Sequence, residues 1–275
     1  MNSNKAPLVI KLIALIVVFL LVAAFSIKLI FRGYSDMTSV DFGSKLISSE
    51  SYSGIKTVES SLLSYSLRVE EHEGSDTVVE VYSTGIFTSR APRVGAAGGT
   101  LTIKQEQQTP GLTLGGGSVV VKVPKGSVLD YGVASVSGSV ALDTRCKNVA
   151  VTSVSGSVKV NGGGETLGIV STSGSIKVPQ PFKTVDISSV SGSIKVAADK
   201  ASESLALKST SGSVKIMLMG DVGYTMNFGT TSGSVKDEYS GASYSKSGTA
   251  ESGDKRLSIT AETVSGSIKL SDWSD

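Results

Sequence analysis

The chain of 275 residues has few of the side chains from which metal and redox sites are built. It contains one cysteine, Cys146, and one histidine, His72. A single cysteine excludes an internal disulfide framework and any metal site made of cysteines alone. A single histidine leaves almost no scheme for a histidine metal site or a catalytic triad. The composition therefore predicts neither a metal ion nor a redox cofactor.

Catalytic motifs and nucleic-acid signals are missing as well. There is no Gly-x-Ser-x-Gly turn, no His-Glu-x-x-His and no Cys-x-x-Cys, and the Gly-Lys dipeptide of phosphate loops never occurs. Aromatic residues make up only 6%, and 26 basic residues stand against 24 acidic ones, so nothing favours a nucleic-acid partner. We expect a protein that is not an enzyme, with no catalytic residues and no cofactor.

Long hydrophobic runs are absent except near the N-terminus, where residues 8–31 are strongly apolar. The 16 residues from Leu12 to Ile27 carry no charge. They would span about 24 Å as a helix, and the flanking apolar residues extend this to about 36 Å if Lys11 and Lys28 reach the interfaces. After a short tail (1–7), the pattern predicts a transmembrane helix at 8–32 that acts as a signal anchor. The alternative is a cleaved signal peptide and a secreted product, with Val22-Ala23-Ala24 at the cleavage site.

The layout around this apolar segment favours a cytoplasmic N-terminus and an extracytoplasmic C-terminal domain. Positive charges flank the segment almost equally, so the short tail ahead of a single helix decides the orientation. Residues 33–53 are polar and rich in serine, which is typical of a linker. We expect a single-pass protein of the cell membrane.

The tripeptide Ser-Gly-Ser, followed by Val or Ile, occurs seven times in the second half of the chain. The spacings between successive glycines are 18, 18, 18, 20, 21 and 33 residues. Such a regular period indicates a repeat architecture, in which each copy buries its apolar face only against its neighbours. The seven glycines are Gly138, Gly156, Gly174, Gly192, Gly212, Gly233 and Gly266.

Apolar residues alternate with polar ones on both sides of each glycine, which is the pattern of β-strands. They lie seven and five residues before it, as in Val149 and Val151, and two and four residues after it, as in Val158 and Val160. The inward parity changes at the glycine, so the tripeptide must form a corner between two strands. We predict an all-β fold, a single parallel β-solenoid (β-helix-like) with turns of about 18–21 residues.

The predicted β domain falls into two parts. Residues 54–130 show less regular alternation and form the N-terminal β section or cap. Residues 131–275 form the Ser-Gly-Ser repeat region, with a polar Gly/Ser insertion at 237–256 that reads as a loop or cap. Strands are also expected within 66–69, 78–82, 101–103 and 119–123, with a turn at Pro124-Lys125-Gly126.

A lysine follows the glycine by three residues in six of the seven copies. It lies between two inward apolar positions, so it points outward, and stacking would place successive lysines about 5 Å apart. Such a cationic stripe favours an anionic cell-wall polymer, lipid headgroups or an envelope protein as partner. The alternative is that lysine merely keeps an exposed strand soluble, with Asp186, Asp199 and Glu203 neutralising part of the charge. The stripe consists of Lys159, Lys177, Lys195, Lys215, Lys236 and Lys269.

The other polar features have simpler interpretations. The serines before, after and three residues before each glycine are expected to satisfy backbone groups at the corners. Four carboxylates surround His72, but their spacing matches no calcium loop, which favours a solvated charged turn. Cys146 is interpreted as a small buried side chain.

The chain resembles the bacterial "putative adhesin" family of envelope-associated β-solenoid domains of unknown function. The likeness covers about residues 54–270 and depends on 119–126 (VVVKVPKG), the Ser-Gly-Ser copies and 257–270 (LSITAETVSGSIKL). Many family members carry Asp or Asn after the glycine, whereas every copy here has Ser. The resemblance implies an envelope domain and brings no catalytic residues.

Three functions follow from these observations. The first is a membrane-anchored structural, adhesive or binding module at the bacterial cell envelope. The second is an accessory regulatory protein of an envelope-stress response, a role that the family resemblance suggests and the residues themselves do not show. The third is a glycan-active β-helix enzyme, because the fold alone does not exclude chemistry.

Overall fold

The computed structural model describes residues 44–84, 91–106 and 116–273, and every regular element in these ranges is a β-strand. Within them, none of the elements is a helix of the length and apolarity needed to cross a membrane. The tail at 1–7, the predicted transmembrane helix at 8–32 and residues 33–43 of the predicted linker lie outside the described residues, whereas Lys45–Tyr52 of that linker form a β-strand. The described residues belong to one compact unit.

The first eight strands precede the first Ser-Gly-Ser tripeptide. They are β1 (Lys45–Tyr52), β2 (Thr57–Leu62), β3 (Tyr65–His72), β4 (Thr77–Thr84), β5 (Arg93–Ala97), β6 (Thr100–Lys104), β7 (Gly116–Pro124) and β8 (Leu129–Ser135). The strands expected within 66–69, 78–82, 101–103 and 119–123 are confirmed as parts of β3, β4, β6 and β7. Residues 125 and 126 form the expected turn, with Gly126 at φ +77°.

The remaining fifteen strands contain the repeats and the end of the chain. They are β9 (Val140–Asp143), β10 (Cys146–Ser155), β11 (Val158–Val160), β12 (Gly164–Ser173), β13 (Ile176–Val178), β14 (Phe182–Ser191), β15 (Ile194–Ala198), β16 (Ser204–Ser211), β17 (Val214–Leu218), β18 (Tyr224–Ser232), β19 (Val235–Asp237), β20 (Ala242–Tyr244), β21 (Ser247–Ser252), β22 (Leu257–Ser265) and β23 (Ile268–Asp272).

These strands form two mixed sheets. The twelve-stranded sheet has the order β1-β4-β7-β3-β9-β11-β13-β15-β17-β23-β19-β20. The eleven-stranded sheet has the order β21-β18-β22-β16-β14-β12-β10-β8-β2-β6-β5. In each repeat the strand before the glycine lies in the eleven-stranded sheet, and the strand after it lies in the twelve-stranded sheet. The Ser-Gly-Ser tripeptide is therefore the corner between the sheets, as its change of parity predicted.

The apolar template of the repeats fills the core. Equivalent residues of neighbouring copies pair in parallel, for example Val149 with Leu167 and Val158 with Ile176. In the second copy these positions are Val149, Val151, Val158 and Val160. They and the residues at the same four positions of the later copies are at most 5% exposed. Side chains at these positions alternate with exposed ones along each strand, so one face of every strand is removed from water.

The predicted single parallel β-solenoid is wrong. Strand β4 pairs antiparallel with both β1 and β7, and β5 with β6, β18 with β21 and β19 with β20 are antiparallel pairs as well. The stacking order also departs from the order in the chain, because β22 lies between β16 and β18, and β23 lies between β17 and β19. The last copy is thus inserted between the fifth and the sixth.

The polar insertion at 237–256 explains this change of order. It contributes β20 and β21, which pair antiparallel with the outer edges of β19 and β18. The chain then returns on the other side of the sixth copy, where both strands of the last copy find parallel partners on each side. The 33-residue spacing contains these two additional strands, which the 18-residue spacings lack.

The corner glycines form one continuous column. A Cβ on Gly174 would lie 2.2 Å from the carbonyl oxygen of Gly156, and a Cβ on Gly192 would lie 2.0 Å from that of Gly174. The same contact recurs from Gly212 to Gly192, from Gly266 to Gly212 and from Gly233 to Gly266. Any side chain here would have to displace the backbone of the neighbouring copy, so only glycine permits this spacing.

A buried hydrogen-bond cluster joins the two sheets at the sixth copy. The hydroxyl of Tyr224, on β18, donates to the carboxylate of Asp237, at the end of β19, and both residues are fully buried. The same carboxylate accepts hydrogen bonds from the backbone N–H of Ser240 at 3.0 Å and from its hydroxyl at 2.6 Å. Burial, followed by the bond to Asp237, raises the pKa of Tyr224 above its ordinary value. The hydroxyl therefore stays protonated and remains a donor.

The glycine column predicts a large loss of stability when one of its members is replaced. Gly174→Ala should lower the free energy of unfolding by about 2–5 kcal/mol, because the methyl group overlaps a backbone carbonyl and Gly174 has φ +124°. The matched control is Gly168→Ala on β12, where the nearest atom is 3.9 Å away. Urea unfolding of the full-length chain measures both. Equal midpoints for the two variants would contradict the column.

Removal of the Tyr224 hydroxyl should also destabilise the fold. Tyr224→Phe leaves a buried carboxylate without one of its donors, which costs about 1.5–3 kcal/mol. The control is Tyr52→Phe, which removes a tyrosine–carboxylate bond to Glu50 of 2.5 Å at an exposed position, where the loss should stay below about 1 kcal/mol. Thermal and urea unfolding report the difference. If the exposed pair proves as costly as the buried one, the cluster does not stabilise the junction of the sheets.

Candidate functional site

The six predicted lysines lie in one unbroken row on the twelve-stranded sheet, here called the lysine row. Each lysine is directly opposite the next in the register of neighbouring strands. At ~4.8 Å between strands, the row extends about 24 Å. Its order in space is Lys159, Lys177, Lys195, Lys215, Lys269 and Lys236. The last two are exchanged relative to the chain because the last copy is inserted before the sixth.

The lysines point away from the core because their neighbours on the strand point into it. Val158 and Val160 flank Lys159 and are at most 1% exposed, and the same alternation holds at the other five positions. Four of the six lysines are exposed, whereas Lys215 and Lys269 are half-buried. The sequence pattern therefore predicted the face of the sheet correctly.

Acidic side chains are paired with cations near both ends of the row, beyond Lys159 and at the fifth lysine, Lys269. Beyond Lys159 the register continues through Ala141 to Arg68, whose guanidinium lies 3.0 Å from Glu70 and 3.2 Å from Asp143. At the other end, the ammonium of Lys269 lies 2.6 Å from the carboxylate of Glu238. The hydrogen bond from Lys269, more than any other contact, holds the pKa of Glu238 below its ordinary value. Glu238 therefore stays ionised and compensates this end of the row.

The first three lysines of the row are not compensated in this way. Among the described residues, no carboxylate forms an ion pair with Lys159, Lys177 or Lys195. These three lysines occupy adjacent strands, β11, β13 and β15. Positive charge is therefore concentrated in these three lysines, between the ion pairs of Arg68 and that of Lys269.

The acidic residues that were expected to neutralise the row lie elsewhere. Asp186 is on β14, in the other sheet. Glu203 forms an ion pair with Lys183 at 3.1 Å, also on that side. Asp199 lies in the turn after β15, where its carboxylate accepts the backbone N–H of Ala201 at 2.9 Å.

A cavity of about 180 Å³ opens directly on the three uncompensated lysines. The repeat pattern does not predict its aromatic residue, Trp273, because this residue follows the last strand and belongs to no repeat. Its backbone N–H donates to the carbonyl of Leu218 at 3.0 Å, and its side chain is 41% exposed. The one sequence signal that pointed to this residue is that it is the single tryptophan of the chain. The cavity is lined by Lys159, Lys177, Lys195, Val178, Pro179, Met217 and Trp273.

The acidic turn around His72 is held by its own hydrogen bonds. The Nε2 atom of His72 lies 2.7 Å from the carbonyl oxygen of Asp76, and Nδ1 accepts the backbone N–H of Gly74 at 3.3 Å. Glu73 forms an ion pair with Lys125 at 2.8 Å. Within the described ranges no group of three or more His, Cys, Asp and Glu side chains is arranged to hold a metal ion.

Cys146 and the repeat serines have structural surroundings. The thiol of Cys146 is 2% exposed, and burial raises its pKa to about 12, so it is protonated at neutral pH. The hydroxyl residue three before each glycine is buried, and that of Ser135 donates to the carbonyl of Gly138 at 2.8 Å. The buried hydroxyl column therefore faces the glycine column and offers no surface to a ligand.

Solved structures with similar outlines come from several bacteria. A putative adhesin from Bacteroides fragilis is 16% identical with a TM-score of 0.44, and a putative cell adhesion protein from Clostridium sporogenes is 11% identical with a TM-score of 0.41; each comparison covers 84% of this chain and 100% of the other. A putative lipid binding protein from Parabacteroides distasonis is 13% identical, with 84% and 97% covered and a TM-score of 0.34. Likeness at this level carries no functional argument. No curated protein matches the chain.

The family model named Toastrack DUF4097 matches residues 130–271, just over half of the chain. The match begins in β8 and ends in β23, so it covers all seven Ser-Gly-Ser copies, the insertion and the whole lysine row. This confirms the family resemblance that the repeats predicted. The chain belongs to the Toastrack DUF4097 family.

Proposed function

We propose that this protein is a binding module of the bacterial cell envelope, and that its lysine row holds linear anionic polymers. In this proposal residues 8–32 anchor the chain in the membrane and the β domain lies outside the cytoplasm. The observation that carries the proposal is the unbroken register of the six lysines across adjacent strands.

The spacing of the row suits a polymer better than a single small anion. Lysines on strands about 4.8 Å apart carry ammonium groups that repel one another, and a chain of anionic groups laid along them relieves that repulsion. A row of about 24 Å can contact several anionic units at once. Each further contact on the same chain is intramolecular, so weak individual contacts add to a useful affinity.

The positions of the acidic residues favour a binding role for the lysine row over a role in solubility alone. If lysine served only to keep exposed strands soluble, acidic partners could lie anywhere along the row. They are found instead on Arg68, two strands beyond Lys159, and on Lys269, the fifth lysine of the row. The three uncompensated lysines are the part of the row that an external anion would neutralise.

Binding without cleavage is the proposed activity. Hydrolysis of a glycosidic bond requires two carboxyl groups that flank the bond, one of them free to donate a proton. The row offers ammonium groups, and the carboxylates nearest to its ends are engaged with cations. We therefore place the protein among binding and adhesive modules rather than glycan-active enzymes.

Replacement of the row should abolish polymer binding. In the full-length chain, held in a neutral detergent, Gln at all six positions should weaken binding of poly(glycerol phosphate) at least about tenfold at low salt. Binding by the unaltered protein should weaken as the salt concentration rises, because exposed charges are screened. Sedimentation with the polymer measures both effects, and neutral dextran should not bind.

The control removes the same number of charges from the other side of the domain. Six exposed lysines on or beside strands of the eleven-stranded sheet are changed to Gln: Lys56, Lys104, Lys147, Lys183, Lys208 and Lys246. This variant should keep its affinity. If both variants lose affinity equally, net charge rather than the row explains binding, and the proposal fails.

The proposed orientation is tested separately with reporters fused after residue 275. A reporter that requires an extracytoplasmic location should be active in the intact fusion, and a cytoplasmic reporter should be silent. The opposite result would place the β domain inside the cell and rule out contact with envelope polymers. Retention in the membrane after a salt wash distinguishes the anchor from a cleaved signal peptide.

A further inference from the structure

We infer that the cavity between Trp273 and the three uncompensated lysines, here called the Trp273 pocket, binds one phosphate-linked sugar unit. The inference deepens the proposed function and rests on it, since the unit would belong to the anionic polymer held by the lysine row. It adds a specific site to a surface that otherwise recognises only charge.

The cationic side of the pocket consists of Lys159, Lys177 and Lys195. Their strands are neighbours in register, so their ammonium groups start about 5 Å apart and can converge on a single phosphate. Phosphate suits such a cluster because its oxygens accept several charge-assisted hydrogen bonds at once. No described carboxylate competes for these three ammonium groups.

The apolar side of the pocket contains Trp273, Pro179 and Met217. Met217 occupies an outward position two residues after Lys215, yet it is only 3% exposed and does not belong to the core cluster. Its register partners Ala197 and Ser271 are fully buried as well. The outer face of the sheet is therefore covered beside the lysines, and this cover forms one wall of the pocket.

Trp273 is exposed and its backbone is held beside the lysines, as a binding wall requires. Trp273 begins beyond the end of β23, and its backbone bond to Leu218 ties it to the end of β17. With 41% of its surface still exposed, Trp273 is accessible to a ligand. An aromatic face is weakly negative and attracts the positively polarised C–H groups of a sugar ring.

The two walls together select the chemical class of the ligand. Inorganic phosphate would leave the indole without a contact, and a neutral sugar would leave three ammonium groups unpaired. A volume of about 180 Å³ holds roughly six waters at ~30 Å³ each, which is room for one ring unit with its phosphate and not for several. A glycosyl phosphate is the smallest unit that uses both walls.

The single tryptophan makes the pocket directly observable, because all tryptophan emission of the chain comes from Trp273. The full-length protein in neutral detergent is titrated with glucose 1-phosphate, N-acetylglucosamine 1-phosphate, inorganic phosphate and glucose. At least one glycosyl phosphate should shift the emission to shorter wavelength and saturate, at a concentration at least tenfold below that for inorganic phosphate. Glucose should cause no shift. If neither glycosyl phosphate produces a saturable shift, the inference is overturned.

Two sets of variants test separately the contribution of the lysines and of Trp273 to ligand binding. Gln at Lys159, Lys177 and Lys195 should weaken glycosyl phosphate binding at least tenfold, whereas Gln at Lys147, Lys183 and Lys208, on the other sheet, should leave it unchanged. Calorimetry should show that Trp273→Ala binds glycosyl phosphate and inorganic phosphate equally weakly, while Trp273→Phe keeps part of the preference. Urea unfolding checks that each variant is folded. An unchanged preference in a folded Trp273→Ala variant would refute the role of the indole.

The polymer experiment separates failure of the pocket from failure of the proposed function. If the unaltered protein binds poly(glycerol phosphate) through the row but shows no response to glycosyl phosphates, the proposed function stands and the pocket is wrong. If the emission shifts with glycosyl phosphate but no anionic polymer binds, the pocket stands as a site for a free ligand and the proposed function fails.

Discussion

The close contact between glycines at the corners is the constraint on which the rest of the structure depends. Each corner carbonyl occupies the space where a Cβ of the next copy would lie, as between Gly156 and Gly174. This contact sets the distance at which the chain passes from one sheet to the other. Every copy changes sheet at the equivalent residue and with the same change of inward parity. Equivalent residues of neighbouring copies are therefore paired in register in both sheets.

The column of corner glycines determines the geometry of the lysine row. Each lysine is three residues beyond a corner glycine, so a fixed corner fixes both the strand position and the outward direction of the side chain. The repulsion between neighbouring ammonium groups is tolerated because burial of the apolar residues that flank each lysine stabilises the ladder. Repetition of a structural unit thus produces a periodic surface charge, and the polymer proposed as ligand has the same kind of periodicity.

The local sequence pattern predicted the strands but not the order in which the copies lie in the sheets, and the reason is physical. Alternation around the glycine depends only on which face of a strand is buried, so the inward positions could be derived from the sequence. The order of the copies depends on which parallel edge a returning strand meets, and the seven corners are nearly identical in sequence. The insertion at 237–256 reads as a polar loop, yet it supplies β20 and β21 at the outer edges, which places the last copy inside the stack.

The candidate site shows the same division between repeated and unrepeated residues. The six lysines were predictable because they recur at a fixed distance from glycine. Trp273, Glu238 and Asp143 were not, since each acts through a contact made by the fold and none belongs to the repeated pattern. A perfect repeat can present only a uniform surface, which recognises charge and spacing. Selectivity for one ligand unit therefore has to come from residues that break the repeat, and the exposed indole beside the uncompensated lysines is such a break.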